Sequence, residues 1–199
     1  MSALPCSMAC ERNREPILAC IAPKLATAAR VVEIGSGTGQ HAAWFAPRLP
    51  QLVWITTDLL LNHAAIRAWQ AASGAVNIQG PLELDTLQEP WPELGAIDAA
   101  YSANTAHIMP EPAVVAMFGG LGARLPAGAP FFLYGPFMEQ GRHTSESNRL
   151  FDAGLRAQGA GMGVRDLDWL VQMAATAGFD LEGIESMPAN NRVLIWRRN

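Results

Sequence analysis

Charge is scarce in this chain of 199 residues: Asp, Glu, Lys and Arg together make up 16%, against the quarter or so usual in a globular domain. The balance of 14 basic to 18 acidic residues gives a net charge of -4 with no basic run, so the electrostatic footprint of a nucleic-acid binder is missing. No stretch approaches the roughly 18 uninterrupted apolar residues of a membrane span. The N-terminus lacks the charged start and apolar centre of a secretory leader. A cytoplasmic protein with neither nucleic-acid nor membrane partners is expected, with homodimerisation left open. Cysteine is scarce too: Cys6, Cys10 and Cys20 form an odd set without Cys-x-x-Cys spacing, which supports neither a disulfide framework nor a zinc site. Free thiols and no metal are expected.

What is abundant is apolar: half of the residues are hydrophobic, enough to bury one substantial core, and a single domain over 1–199 is the simplest organisation. Short runs rich in Val, Ile and aromatic residues alternate with helical spacing. Strands are expected at 30–34, 52–57 (ending in Asp58), a weak one at 76–79, then 97–103 and 131–134. Helices are expected at 13–29 (entered near Pro16), 40–49, 62–72 and 112–125. Asp166 as N-cap and Gly178 as the left-handed terminator bracket another helix at 167–177. Two last strands, 179–187 and 192–198, are joined by Pro188-Ala189-Asn190-Asn191, too short for anything but an antiparallel pair. The expected fold is α/β, a Rossmann-like doubly wound sheet of seven strands, mostly parallel with a C-terminal antiparallel hairpin. Residues 1–30 read as an N-terminal helical lid. Residues 135–165, polar and Gly-rich, are too long for an ordinary connection and read as a lid insertion.

The informative motif is Val31-Val32-Glu33-Ile34-Gly35-Ser36-Gly37-Thr38-Gly39, glycines that follow a strand and precede a helix. Without Cβ, Gly35, Gly37 and Gly39 let backbone approach a ligand closely, and amides at the helix start, including those near Ser36 and Gln40, can meet a polar or anionic group. A dinucleotide fingerprint wants its third glycine at position 40, where this chain has Gln40, which argues against a bound pyrophosphate and a nicotinamide-dependent oxidoreductase. Asp58 closes the second strand with Leu59 beside it, 23 residues beyond Gly35. That is close to the ~20-residue offset at which a carboxylate meets adenosine ribose hydroxyls.

The fourth strand runs into Asn104-Thr105-Ala106-His107, at the sheet edge where ligands of such folds sit. Asn104 is placed to bound a cofactor, and His107, with Tyr134 on the next strand, to face an acceptor; an imidazole is able to take a proton from an incoming nucleophile, or is simply a buried structural group. Arg12 and Asn13 open the first helix and are placed either as solvated helix-start groups or as lid residues meeting a carboxylate. His143 and Asn148 in the 135–165 segment, and Asn190 and Asn191 in the last turn, are candidate acceptor contacts.

The run Glu-x-Gly-x-Gly-x-Gly is similar to the first motif of the Rossmann-like methyltransferases. That resemblance implies S-adenosylmethionine as cofactor, with Glu33 near its amino acid end, Asp85 accepting the adenine amino group and the Leu84 backbone bordering the ring. Asp85 with Gln88 also has the spacing of a capping box. Ala9-Cys10-Glu11-Arg12-Asn13-Arg14-Glu15-Pro16-Ile17-Leu18, Glu33 to His41, Leu133-Tyr134-Gly135-Pro136-Phe137 and Met187-Pro188-Ala189-Asn190-Asn191 together resemble the domain of unknown function 938 family over nearly the whole chain. The resemblance implies a methyltransferase acting on a small-molecule acceptor. A module that holds the cofactor without transferring its methyl stays open beside it, because fold alone does not establish turnover.

Overall fold

A computed structural model describes residues 4–199, so the first three residues of the expected 1–30 segment lie outside the described residues. Seven strands hydrogen-bond in the order β3-β2-β1-β4-β5-β10-β9. They are β1 (Arg30–Ile34), β2 (Val53–Asp58), β3 (Ile78–Glu83), β4 (Ala99–Ala103), β5 (Pro130–Gly135), β9 (Phe179–Met187) and β10 (Asn191–Arg198). β1 pairs in parallel with β2 and with β4, and β2 in parallel with β3, whereas β10 is antiparallel to both β5 and β9. This is the Rossmann-like seven-stranded sheet with a C-terminal antiparallel hairpin expected from the sequence. The chain divides into two compact units, residues 1–101 and 102–199.

In the first unit, β1 is buried along its length after Arg30, as a strand covered on both faces must be. Its core is aromatic: Phe45, Trp54 and Tyr101 meet edge to face with centroids 5.4–5.7 Å apart, a geometry that adds about 0.5–1.5 kcal/mol per pair to area burial. The helices are α1 (Met8–Ile21), α2 (Gln40–Phe45) and α3 (His63–Ser73), the last ended by Gly74 in the left-handed conformation.

Two elements differ from expectation. α1 runs from Met8 to Ile21, not from Asn13 to Ala29, with Pro16 inside it and a separate 3-10 turn at Ala22–Leu25 after it. Its inward face reads Cys10, Asn13, Ile17, Ile21, and the buried Asn13 removes the apolar group that would have announced the first turns. β3 lies at 78–83, past the expected 76–79, and carries Gly80 and Pro81. A proline is tolerated because β3 is the edge of the sheet, where its missing N–H is not needed. Gly80 is required because a Cβ there would stand 2.5 Å from the Thr56 carbonyl oxygen.

In the second unit, α4 (Glu111–Gly122) and α6 (Leu167–Thr176) flank β5, β9 and β10. Phe118 meets Phe131, Phe179 and Trp196 edge to face at 5.1–5.7 Å. Asp166 caps α6 by accepting from the amides of Asp168 and Trp169. The expected 135–165 insertion is structured: β6 (Phe137–Glu139), β7 (Arg142–His143) and β8 (Arg165–Asp166) form a small sheet in the order β7-β6-β8, and α5 (Glu146–Gln158) lies between β7 and β8. Periodicity did not reveal α5 because its buried positions are Asn148, Asp152 and Leu155, two of them polar. Among the described residues no helix is long and apolar enough to cross a membrane, and no three His, Cys, Asp or Glu side chains gather as a metal site requires.

Candidate functional site

The glycine turn in the first unit follows from its backbone. Gly35, Gly37 and Gly39 have φ of 73°, 58° and 86°, the left-handed region that costs other residues about 1–2 kcal/mol each. Gly39 is also a packing requirement, since a Cβ there would lie 2.9 Å from the Ile66 Cα on α3. Gly37 is different: a Cβ would meet nothing within 4 Å, so the turn opens to free space at that residue.

Four amides of the turn are already engaged. Gly35 and Ser36 donate to the Thr57 carbonyl at 3.1 and 3.0 Å, and Gly39 to the Ser36 carbonyl at 2.8 Å. Gly37 donates to Asp58 Oδ2 at 2.6 Å. What the turn offers is bare backbone at Gly37 beside a carboxylate. Asp58 Oδ1 accepts from Leu59 N at 2.7 Å and Asn62 Nδ2 at 2.8 Å. With three of its roughly four acceptor sites used, Asp58 has room for one hydroxyl directly and for a second when the Asn62 amide moves off. Leu59 is 43% exposed beside it. The Leu84 amide donates to the Asp58 carbonyl at 3.0 Å, which brings the residues after β3 alongside the end of β2. Asp85, half-buried, accepts from Leu87 N at 3.0 Å and Gln88 Nε2 at 3.3 Å. The pairing resembles a capping box, but a turn and no helix follows.

Three residues assigned to cofactor contact are buried and hydrogen-bonded within the protein. Glu33 is fully buried, its Oε2 accepting from Ser36 Oγ at 2.9 Å and Trp54 Nε1 at 3.0 Å. Burial pushes its carboxyl up to about 7 against the lowering pull of those two hydrogen bonds. Asn13 is buried with its Oδ1 2.8 Å from His41 Nε2. Gln40 is 2% exposed, with both ends of its amide bonded to the chain. Arg12, between these inward-facing neighbours, is exposed. Cys10 is buried, and burial followed by the charges of Glu33 and Glu11 pushes its thiol up to about 12.

In the second unit, β4 leads into a loop where Asn104 has φ 57° and donates its amide to the Tyr134 carbonyl at 2.9 Å. Tyr134 itself is buried in β5. His107 is 6% exposed and meets Phe151 of α5 edge to face at 5.1 Å. Burial, and secondarily the Arg165 guanidinium, push its imidazole down to about 4, so the ring is neutral near pH 7. Arg165, expected from the sequence only as one of the polar residues of the 135–165 segment, lies beneath this loop's backbone carbonyls. This buried guanidinium donates to the carbonyls of Ala106 (3.0 Å), Met109 and Gly161, and the Gly163 amide donates to the His107 carbonyl at 2.9 Å. The His107 loop is held rigidly from below.

The other acceptor candidates divide. His143 is half-buried with Nε2 3.4 Å from Asp152 Oδ2. Asn148 is buried and donates to Thr144 Oγ1 and the Asn190 carbonyl, both at 3.1 Å, so it ties α5 to the last hairpin. Asn191 spends its amide on the carbonyls of Pro188 and Ala189 within its own turn. Asn190 is exposed in the left-handed conformation. The side-chain N–H groups of Asn148 and Asn191 are thus both engaged within the chain.

The model of the family described as "Protein of unknown function (DUF938)" matches residues 4–198. The chain belongs to this family. Its fold is shared by solved methyltransferases. The mitomycin 7-O-methyltransferase MmcR superposes with a TM-score of 0.77 at 16% identity, over 88% of this chain and 50% of that one. Human N-acetylserotonin methyltransferase in complex with SAM gives 0.80 at 15% identity, over 96% and 53%. PigF with SAH gives 0.77 at 16%, over 92% and 61%. This family member thus spans half to about three-fifths of the length of those proteins, and at such identities the likeness is one of fold.

Proposed function

We propose that this protein is an S-adenosylmethionine-dependent methyltransferase acting on a small-molecule acceptor. The observation that carries the reading is Asp58 at the carboxyl end of β2, its carboxylate bonded to the amide of Gly37 where the turn opens to free space. Such a carboxylate suits ribose hydroxyls, and bare glycine backbone suits a ligand tail lying close over it. The flanking residues fit the same group: exposed Leu59 offers an apolar face, and Leu84 and Asp85 border the Asp58 strand end, where an adenine ring and its amino group would lie. The solved fold neighbours named with SAM or SAH support the choice of cofactor. When bound, S-adenosylmethionine supplies an electrophilic methyl on a sulfonium leaving group for direct in-line transfer.

The chain's own contribution is orientation and a dry setting. Glu33 and Ser36 fix the turn from beneath, and Asn104 holds the β4 loop against β5. Neutral His107 is able to accept a hydrogen bond from a protonated nucleophile, with Phe151, 42% exposed, as an apolar wall beside it. A ring pushed down to about 4 is a weak proton acceptor, and this one observation favours the second reading, a module that binds the cofactor without turnover. Labelled methyl donor incubated with metabolite extracts separates the two, since only an enzyme yields labelled product.

The test of the site is calorimetric titration with S-adenosylhomocysteine. Losing the hydrogen bonds of a charged acceptor costs about 1.5–3 kcal/mol, so Asp58→Ala is expected to weaken binding by roughly 10- to 100-fold. Unchanged affinity in the variant, or no binding by the wild type, overturns the assignment.

A further inference from the structure

Gln40 stands where a dinucleotide turn would have its last glycine, and its side chain is fully committed. Oε1 accepts from the Ser7 amide and from Thr38 Oγ1, and Nε2 donates to Glu11 Oε1 at 2.9 Å and to Cys6 Sγ at 3.6 Å. A carboxamide has two acceptor lone pairs and two N–H groups, so nothing is left for a ligand. Of its four partners, Thr38 belongs to the glycine turn, and Cys6, Ser7 and Glu11 to the start of the chain.

That start has little else to hold it. From residue 4 to residue 9 no side chain is buried, so hydrophobic burial does not dock the segment. Polar bonds do: besides those of Gln40, Trp69 Nε1 of α3 donates to the Pro5 carbonyl at 2.7 Å, and His41 Nε2 lies 2.8 Å from Asn13 Oδ1. A segment docked this way opens locally at low cost, and a ligand that needs it in place binds more weakly whenever it is loose.

We propose that Gln40 is a positioning residue: its side-chain amide clasps residues 6–11 to the glycine turn, and ligand affinity at the turn depends on that clasp, with no contact between Gln40 and the ligand. The proposal rests on the turn being the cofactor site, as argued above.

A charge swap tests it. Gln40→Glu sets a carboxylate against Glu11 with almost no change of shape, Glu11→Gln keeps an acceptor for Gln40, and the double variant E11Q/Q40E restores a donor–acceptor pair with the roles exchanged. Titration with S-adenosylhomocysteine is expected to show affinity falling about tenfold or more in Q40E, near wild type in E11Q, and back to within about threefold in the double variant, a coupling that independent sites do not show. Amide hydrogen exchange of residues 5–12 in the unliganded proteins is expected to rise in Q40E and return in the double variant, with melting temperatures confirming that all are folded. Faster exchange in Q40E without loss of affinity reduces Gln40 to a structural role and overturns the proposal, as does loss of affinity that the double variant does not recover. If the wild type binds no S-adenosylhomocysteine, the cofactor reading fails and the dependence of affinity on the clasp falls with it. The exchange data then decide whether Gln40 clasps the segment at all.

Discussion

Gly37 and Gly39 sit two residues apart in the same turn, both with positive φ, and the structure assigns them different work. Replacing either by Ala forces an L side chain into the left-handed region, at about 1–2 kcal/mol. For Gly37 that is the whole folding cost, because its Cβ meets nothing within 4 Å. For Gly39 the Cβ meets the Ile66 Cα at 2.9 Å and the Ile66 carbonyl oxygen at 3.3 Å. Backbone in α3 has to shift, which adds about 1–3 kcal/mol as overpacking does elsewhere. In a domain of this size each kcal/mol moves the melting temperature by roughly 2–4 °C, so Gly37→Ala should lower it by about 2–8 °C and Gly39→Ala, at about 2–5 kcal/mol in all, by about 4–20 °C. Ligand binding should reverse the order of sensitivity per unit of stability lost. A methyl on Gly37 stands in the open space where the ligand tail is proposed, so S-adenosylhomocysteine affinity should drop at least about tenfold, or 1.4 kcal/mol, in a protein that remains folded at 25 °C. Differential scanning calorimetry and isothermal titration on the same preparations give both numbers. A Gly37→Ala protein that binds as well as wild type refutes the placement of the ligand over this turn. A Gly39→Ala protein as stable as Gly37→Ala refutes the packing argument.

Two further outcomes follow from buried charge. Glu33, pushed up to about 7 from its ordinary 4.5, binds a proton in the folded state between those values where the unfolded chain does not, so its contribution to stability declines as pH rises from about 4.5 to 7. Glu33→Gln should remove that decline, and urea unfolding at pH 5 and pH 8 should show the variant gaining on wild type at the higher pH by an amount on the order of a few kcal/mol; equal differences at both pH values contradict it. Arg165→Met leaves the carbonyls of Ala106, Met109 and Gly161 without their donor. Only the Ala106 bond is fully buried, the carbonyls of Met109 and Gly161 lying where water can replace the donor; at about 1–3 kcal/mol for a buried group left unsatisfied, the variant should lose roughly that much by chemical denaturation, and no measurable loss shows that the loop repacks.

What could be read from the chain alone was whatever buries apolar groups at regular spacing or demands a particular backbone. Val31, Val32 and Ile34 announced β1, the β-branched run before Asp58 announced β2, and Gly74 and Gly178, both left-handed, marked helix ends. The glycine turn and the carboxylate at the end of the neighbouring strand were legible for the same reason: positive φ and strand-end position are local properties. The first turns of α1 and the whole of α5 were not legible, because their inward faces carry Asn13, and Asn148 with Asp152. A polar side chain can be buried only when partners meet it, and here partners come from outside the helix: His41 for Asn13, the Val164 amide for Asp152, the Asn190 carbonyl for Asn148. Gln40 likewise looked like a ligand contact by type and position, and only the folded chain shows all of its side-chain hydrogen bonds made within the protein. Hydrophobic burial is written in a residue's own identity; hydrogen-bond satisfaction is decided by what tertiary structure brings beside it.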